Sequence, residues 1–177
     1  MTVFTIGHST RALGDFIALL RGASVEAVAD VRRFPFSRRH PQFNGEALDR
    51  SLADAGIGYR HFPALGGRRQ GRRAGGESPN TLWREPGFRN YADYADTAEF
   101  RAGFEELLQL ARERRTAVMC AEAVWWRCHR RIIADYLIAA GLAVEHILDG
   151  KIEPAKLTPG ASIRPDGSVL YREPSLL

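Results

Sequence analysis

The apolar positions of this chain alternate between two periods. Val3-Phe4-Thr5-Ile6 reads as a short strand, after which Leu13, Phe16, Ile17 and Leu20 recur at the three- and four-residue spacing of one helix face, stopped at Gly22. Residues 25–31 supply a second strand ending at Asp30, and Leu48, Leu52 and Ala55 mark a helix closed by Gly56 at its C′ position. Gly58-Tyr59-Arg60-His61-Phe62 reads as a third strand. The longest amphipathic stripe is Phe100, Phe104, Leu107, Leu108 and Ala111, followed by a fourth strand over 116–121. A helix carrying Ile132, Ile133, Tyr136, Leu137 and Ala140 stops at Gly141, and residues 144–148 make a fifth strand. Strands alternating with helices predict a three-layer α/β/α domain over residues 1–150, with a mostly parallel sheet. Residues 151–177 read as an extension packed on it, bearing a hairpin around Pro165-Asp166-Gly167. Residues 66–86 carry no period and are expected to form a long surface loop.

The bulk properties narrow the class. A chain of 177 residues, 45% hydrophobic and 26% charged, suits one soluble domain. No apolar run approaches the roughly 20 residues of a membrane span, and the first residues lack the basic and apolar regions of a signal peptide, so a cytoplasmic location is expected. Two cysteines are too few for a disulfide scaffold and are expected to be free thiols. Charge is unevenly placed. Between Arg32 and Arg89 lie twelve arginines against five acids, a local +7 within a chain of +4. Such a basic stretch suits a phosphate-bearing small molecule or nucleic acid. Since only two of the 25 basic residues are lysines, codon bias toward arginine explains the same stretch equally well.

Candidate chemistry collects just past the strands, where ligands bind in parallel α/β sheets. His8 and Ser9 follow the first strand, with Ser9 or Thr10 able to cap the next helix. Asp30 and Arg32 end the second; they form either a structural ion pair or an anion clamp with an acid–base partner. Tyr59 and His61 end the third. The fourth leads into Cys120-Ala121-Glu122 and then Trp125-Trp126-Arg127-Cys128-His129-Arg130. Glu122 is the acid–base candidate, because burial beside Trp125 and Trp126 would raise its pKa; pairing with Arg127, Arg130 or Arg131 is the structural alternative. Cys128, at a helix start between Arg127 and His129, is a candidate nucleophile. Cys120 reads most simply as a small buried hydrophobe, and Cys-x7-Cys-His is an uncommon metal-ligand spacing, so no metal is expected. Arg130 in the first helical turn favours a bound anion there.

Taken together, Thr5-Ile6-Gly7-His8-Ser9, Asp30-Val31-Arg32, Gln42-Phe43, Tyr59-Arg60-His61, Leu65-Gly66-Gly67, Cys120-Ala121-Glu122, Cys128-His129-Arg130 and His146-Ile147 resemble the domain-of-unknown-function 488 family (DUF488), in its order and over residues 3–150. The resemblance implies a single α/β domain with one site built from these motifs; it implies neither an activity nor a cofactor. From the residues, the leading expectation is a hydrolase or transferase acting on a nucleotide, nucleic acid or other phosphate-bearing substrate. Glu122, His8 and Asp30 would do its acid–base work. Ser9, Arg32, Tyr59, His61, Cys128, His129 and Arg130 would bind the substrate. The alternatives are a nucleic-acid-binding module using the arginine-rich 66–86 loop, and a thiol or metal enzyme centred on Cys128.

Overall fold

The computed structural model describes residues 1–71 and 76–175. Eight strands and five α-helices follow one another along these residues as β1 (Thr2–Gly7), α1 (Leu13–Gly22), β2 (Ala27–Asp30), α2 (Gly45–Asp54), β3 (Gly58–His61), α3 (Pro86–Tyr94), α4 (Ala98–Glu113), β4 (Thr116–Cys120), α5 (Arg130–Ala139), β5 (Ala143–Leu148), β6 (Lys151–Pro154), β7 (Ser162–Ile163) and β8 (Val169–Leu170). Six strands form one sheet in the order β3-β2-β4-β1-β5-β6, all parallel except β6, which runs antiparallel to β5. β7 and β8 form the expected hairpin, turned at Gly167 with φ of 83°.

β1, β2 and β4 are buried almost end to end because helices cover both faces of a parallel sheet. Side chains alternate between the two cores. Phe4, Ile6, Val28, Ala117 and Met119 pack with Phe16 and Leu20 of α1 and Leu48 and Leu52 of α2. Val3, Ala29, Val118 and Cys120 pack with Phe100 and Leu107 of α4 and Ile132 and Leu137 of α5. The crossovers through α1 and α2 step toward the β3 edge, whereas those through α4 and α5 step the other way. Right-handed connections therefore place the two helix pairs on opposite faces. At the carboxyl ends of β1 and β4, neighbouring strands send their chains to opposite sides, which opens a crevice.

Three elements depart from the sequence reading. α3 arises where no helix is expected: its nine residues include Gly87 and Asn90, and Pro86 at its first turn is the one start signal. β6, where no strand is expected, is four residues long and starts the expected extension by pairing with β5 in the main sheet. The cap expected of Ser9 or Thr10 is absent; Ala12 occupies the α1 N-cap with no side-chain bond. Beyond β6 the chain is tied back through Asp135, which accepts from Thr158 N–H at 2.8 Å and Tyr171 O–H at 2.7 Å. Among the described residues no helix is long and apolar enough to cross a membrane.

Candidate functional site

A cleft of about 710 Å³ lies over the carboxyl ends of β1, β2 and β4. His8, Ser9, Arg32, Glu122, Cys128 and His129 all line it, so the expected convergence of strand ends holds for these six. Asp30, Tyr59, His61 and Arg130 do not line it; they stand behind those that do. The side-chain alternation divides the site in two. His8 and Asp30 follow Ile6 and Val28 on the α1/α2 side, and the thiols lie on the α4/α5 side.

The first half is an interlocked support. Asp30 is fully buried and accepts from Arg32 Nε at 2.9 Å, Arg32 Nη2 at 2.7 Å and Tyr59 O–H at 2.6 Å. Arg32 Nη2 also donates to the Phe43 carbonyl at 2.7 Å, and His61 Nε2 donates to the Arg32 carbonyl at 2.7 Å. The ion-pair reading of Asp30 and Arg32 therefore describes most of this guanidinium. Its remaining nitrogen, Nη1, lies 3.3 Å from His8 Nε2. A guanidinium only donates, so Nε2 accepts. His8 Nδ1 faces the Ser9 carbonyl at 2.9 Å and must carry the hydrogen. This fixes one neutral tautomer. Burial, aided by the Arg32 charge, lowers the His8 pKa from 6.5 to about 4, and the ring stacks on Phe43 at 4.4 Å. His8 is thus a neutral wall of the cleft.

The second half concentrates charge. Cys120 Sγ lies 2.7 Å from Cys128 Sγ, and both thiols are free and buried. Arg130 is 1% exposed; its Nε donates to Cys120 Sγ at 3.0 Å, Nη1 to Thr5 Oγ1 at 3.4 Å and Nη2 to the Glu122 carbonyl at 2.6 Å. Among the described residues no carboxylate pairs with it. A buried guanidinium needs a counter-charge, and only the two sulfurs touching it can ionise. Although Arg130 Nε is nearest Cys120, the charge belongs on Cys128. That sulfur accepts the Arg130 backbone N–H at 3.4 Å at the start of α5 and faces His129 Nδ1 at 3.5 Å. Burial alone would push both thiols up. For Cys128 the Cys120 hydrogen bond, then His129 and Arg130, outweigh it and hold the group well below the usual thiol value; Cys120, donating to that thiolate, is pushed well up. His129 Nε2 lies 2.8 Å from the Val31 carbonyl and therefore carries a hydrogen, leaving Nδ1 to exchange a proton with Cys128. Gly67 permits this pose, since a Cβ there would sit 2.8 Å from His129 Nδ1.

Other expectations change. Glu122 is exposed at the cleft rim, so the burial invoked for it is absent, and Arg130 bonds its carbonyl rather than its carboxylate. Arg130 is spent inside the protein and offers nothing to an anion. Trp125 stacks on His146 at 4.4 Å and donates to Glu153 at 3.0 Å, while Trp126 is 44% exposed. Of the arginine-rich loop, Arg72 and Arg73 lie outside the described residues. Arg69 is folded inward, donating to the Gly66 and Pro63 carbonyls over the Tyr94 ring. The exposed cations of the cleft wall are Arg68 and Arg127, with half-buried Arg33 beside them. Ser9 and Arg68 both hold positive φ, 49° and 57°, a strained backbone that clusters at functional sites. Among the described residues no three His, Cys, Asp or Glu side chains are grouped to hold a metal ion, and Arg130 stands where a cation beside the thiols would be. The sequence reading weighed the two cysteines together only as metal ligands; that they meet as a pair of thiols follows from the loop between them, which the spacing does not reveal.

The two neutral histidines give a pH prediction. His146, buried against Trp125, is also lowered from 6.5 to about 4, by burial first and the Arg130 charge second. Between these values the unfolded chain binds protons that the folded chain refuses. Stability is full above about pH 6.5, falls as pH drops toward 4, and loses up to about 3 kcal/mol per histidine. Urea midpoints measured across that range should fall, and His146→Phe should flatten part of the slope.

In comparisons with known proteins, no curated protein and no solved structure matches this chain. Residues 12–137 match the family described as Domain of unknown function DUF488, a span holding Asp30, Arg32, Cys120, Glu122, Cys128, His129 and Arg130. β1 with His8 and Ser9, and β5, lie outside it. The match covers well over half of the 177 residues, and the chain belongs to the DUF488 family.

Proposed function

We propose that this protein is a thiol-dependent hydrolase or transferase acting on a phosphate-bearing small molecule, with Cys128 as nucleophile and His129 as its acid–base partner. The observation that carries this reading is the buried Arg130, which among the described residues has no carboxylate partner and lies 3.0 Å from the Cys120 sulfur of the thiol pair. Cys128 Sγ attacks the electrophilic centre of the substrate and forms a covalent bond to it. The leaving group departs with the proton held on His129 Nδ1, and water or an acceptor then releases Cys128. Val31, through its carbonyl, orients the imidazole as the third member of such a set. The cleft volume of about 710 Å³ suits a ligand of nucleotide size. Phe34 and Phe36, each about 70% exposed on its wall, offer faces for a ring beside Arg33, Arg68 and Arg127. Glu122 at the rim keeps at most a proton-exchange role.

Iodoacetamide tests the nucleophile. Cys128 is expected to alkylate rapidly at about pH 6, where an ordinary thiol is almost wholly protonated, and inorganic pyrophosphate should slow the reaction several-fold. That protection should vanish in an Arg33→Ala, Arg68→Ala double variant. Alkylation appearing only above about pH 8 would remove the thiolate reading, and unprotected alkylation would remove the phosphate-bearing substrate. Against any substrate found, Glu122→Gln should retain most activity and Cys128→Ser none.

A further inference from the structure

We propose that Cys120 and Cys128 act as a resolving and a peroxidatic thiol, giving the protein a hydroperoxide-reducing activity that ends in a Cys120–Cys128 disulfide. This rests on the Cys128 thiolate of the preceding reading and goes beyond it, because covalent group transfer through Cys128 asks of Cys120 only a hydrogen bond to the thiolate, which a serine hydroxyl would also supply. Cys120 is 2% exposed at the end of its strand, within the core that holds Val118 and Ile133. Its sulfur lies 2.7 Å from Cys128 Sγ and is held by the Arg130 guanidinium at 3.0 Å. The sulfurs need to close by about 0.7 Å to reach a disulfide length of roughly 2.0 Å. Both line the open cleft, so an oxidant reaches Cys128 without unfolding.

The chemistry balances on groups already in place. Cys128 thiolate attacks the terminal oxygen of a hydroperoxide; an S–O bond forms, the O–O bond breaks, and the alkoxide or hydroxide leaves with a proton from His129 Nδ1. Cys128 is then a sulfenic acid. Cys120, deprotonated beside Arg130, attacks the Cys128 sulfur. An S–S bond forms, the S–O bond breaks, and the hydroxide leaves with the Cys120 proton as water. The two thiols have lost two electrons and the peroxide has gained them. An external dithiol returns the pair to its reduced state by exchange.

Hydrogen peroxide, dimedone and iodoacetamide separate the outcomes on the full chain. Peroxide-treated wild type is expected to show a mapped Cys120–Cys128 disulfide and no dimedone adduct. Cys120→Ser should accumulate the adduct on Cys128, and Cys128→Ser should give neither product. With dithiothreitol present, wild type should consume peroxide over many turnovers and Cys120→Ser at least about tenfold more slowly than wild type. Wild type that alkylates at about pH 6 yet forms a dimedone adduct in place of the disulfide overturns this proposal and leaves the thiolate reading standing. Wild type that does not alkylate there overturns the thiolate reading itself. Mapping on wild type alone decides the disulfide, whatever the folding of the serine variants.

Discussion

An Arg130→Met variant is expected to alkylate at Cys128 about ten- to a hundredfold more slowly than wild type near neutral pH, and to lose about 3 kcal/mol of stability. The effect follows from where the guanidinium stands. Its three nitrogens hold the Cys120 sulfur, the Thr5 hydroxyl and the Glu122 carbonyl, and the Cys120 and Cys128 sulfurs are its anionic candidates. Methionine fills much of the volume but carries no charge, so the Cys128 thiolate keeps Cys120 and His129 but loses one of the charges that favour it and holds a proton more readily. The orphaned Glu122 carbonyl adds the cost of an unmade hydrogen bond. Arg130→Lys should fall between, since it restores the charge but can engage fewer of the three partners. Alkylation rates are to be read below the melting transition of each variant, with circular dichroism reporting stability separately. Wild-type reactivity in folded Arg130→Met would mean that the guanidinium does not set the charge of the pair.

Gly7→Ala is expected to cost about 4 kcal/mol or more, lowering the melting temperature by roughly 10 °C in a chain of this size. A Cβ at Gly7 would stand 1.7 Å from the Glu122 carbonyl oxygen, 2.6 Å from its carbon and 3.0 Å from Ala123 Cα. All three are backbone atoms and none can swing aside. Relief requires β1 to part from the loop after β4, where His8 N–H bonds the Cys120 carbonyl and Ser9 N–H the Ala121 carbonyl, each at 3.0 Å. The same shift pulls the Glu122 carbonyl away from Arg130, so thiol reactivity should fall with stability. Gly14→Ala is the control. No atom lies within 4 Å of its Cβ in the first turn of α1, and the change should be neutral or stabilise by up to about 1 kcal/mol. Equal melting temperatures for the two variants would contradict the close approach at Gly7.

The periodic stretches were legible for a simple reason. Phe100, Phe104, Leu107, Leu108 and Ala111 declare α4 because one helix face must be apolar to cover a sheet, and that demand is written locally. The same holds for α1, α2, α5 and the five parallel strands. α3 was missed because its nine residues are stabilised by tertiary contact, with Tyr91 buried and donating to the Leu65 carbonyl at 2.6 Å. β6 was missed because four residues ending in Pro154 owe their pairing to β5 rather than to their own pattern.

The candidate site divides in the same way. The chain by itself determined which polar residues fall at or after the strand ends, because the end of an apolar run is visible in one dimension, and so it marked His8, Asp30, Arg32 and Cys128 as candidates. It could not determine which of them are free to meet a ligand. Asp30 takes up most of Arg32, and Arg130 is consumed by Cys120, Thr5 and a carbonyl. Glu122, chosen for burial, is exposed, and Cys120 and Cys128, eight residues apart in sequence, meet at 2.7 Å. Whether a charge is spent or available depends on the direction of side chains from different strands and on how far each lies from water. Those are properties of the packed sheet edge, and only the tertiary structure decided them.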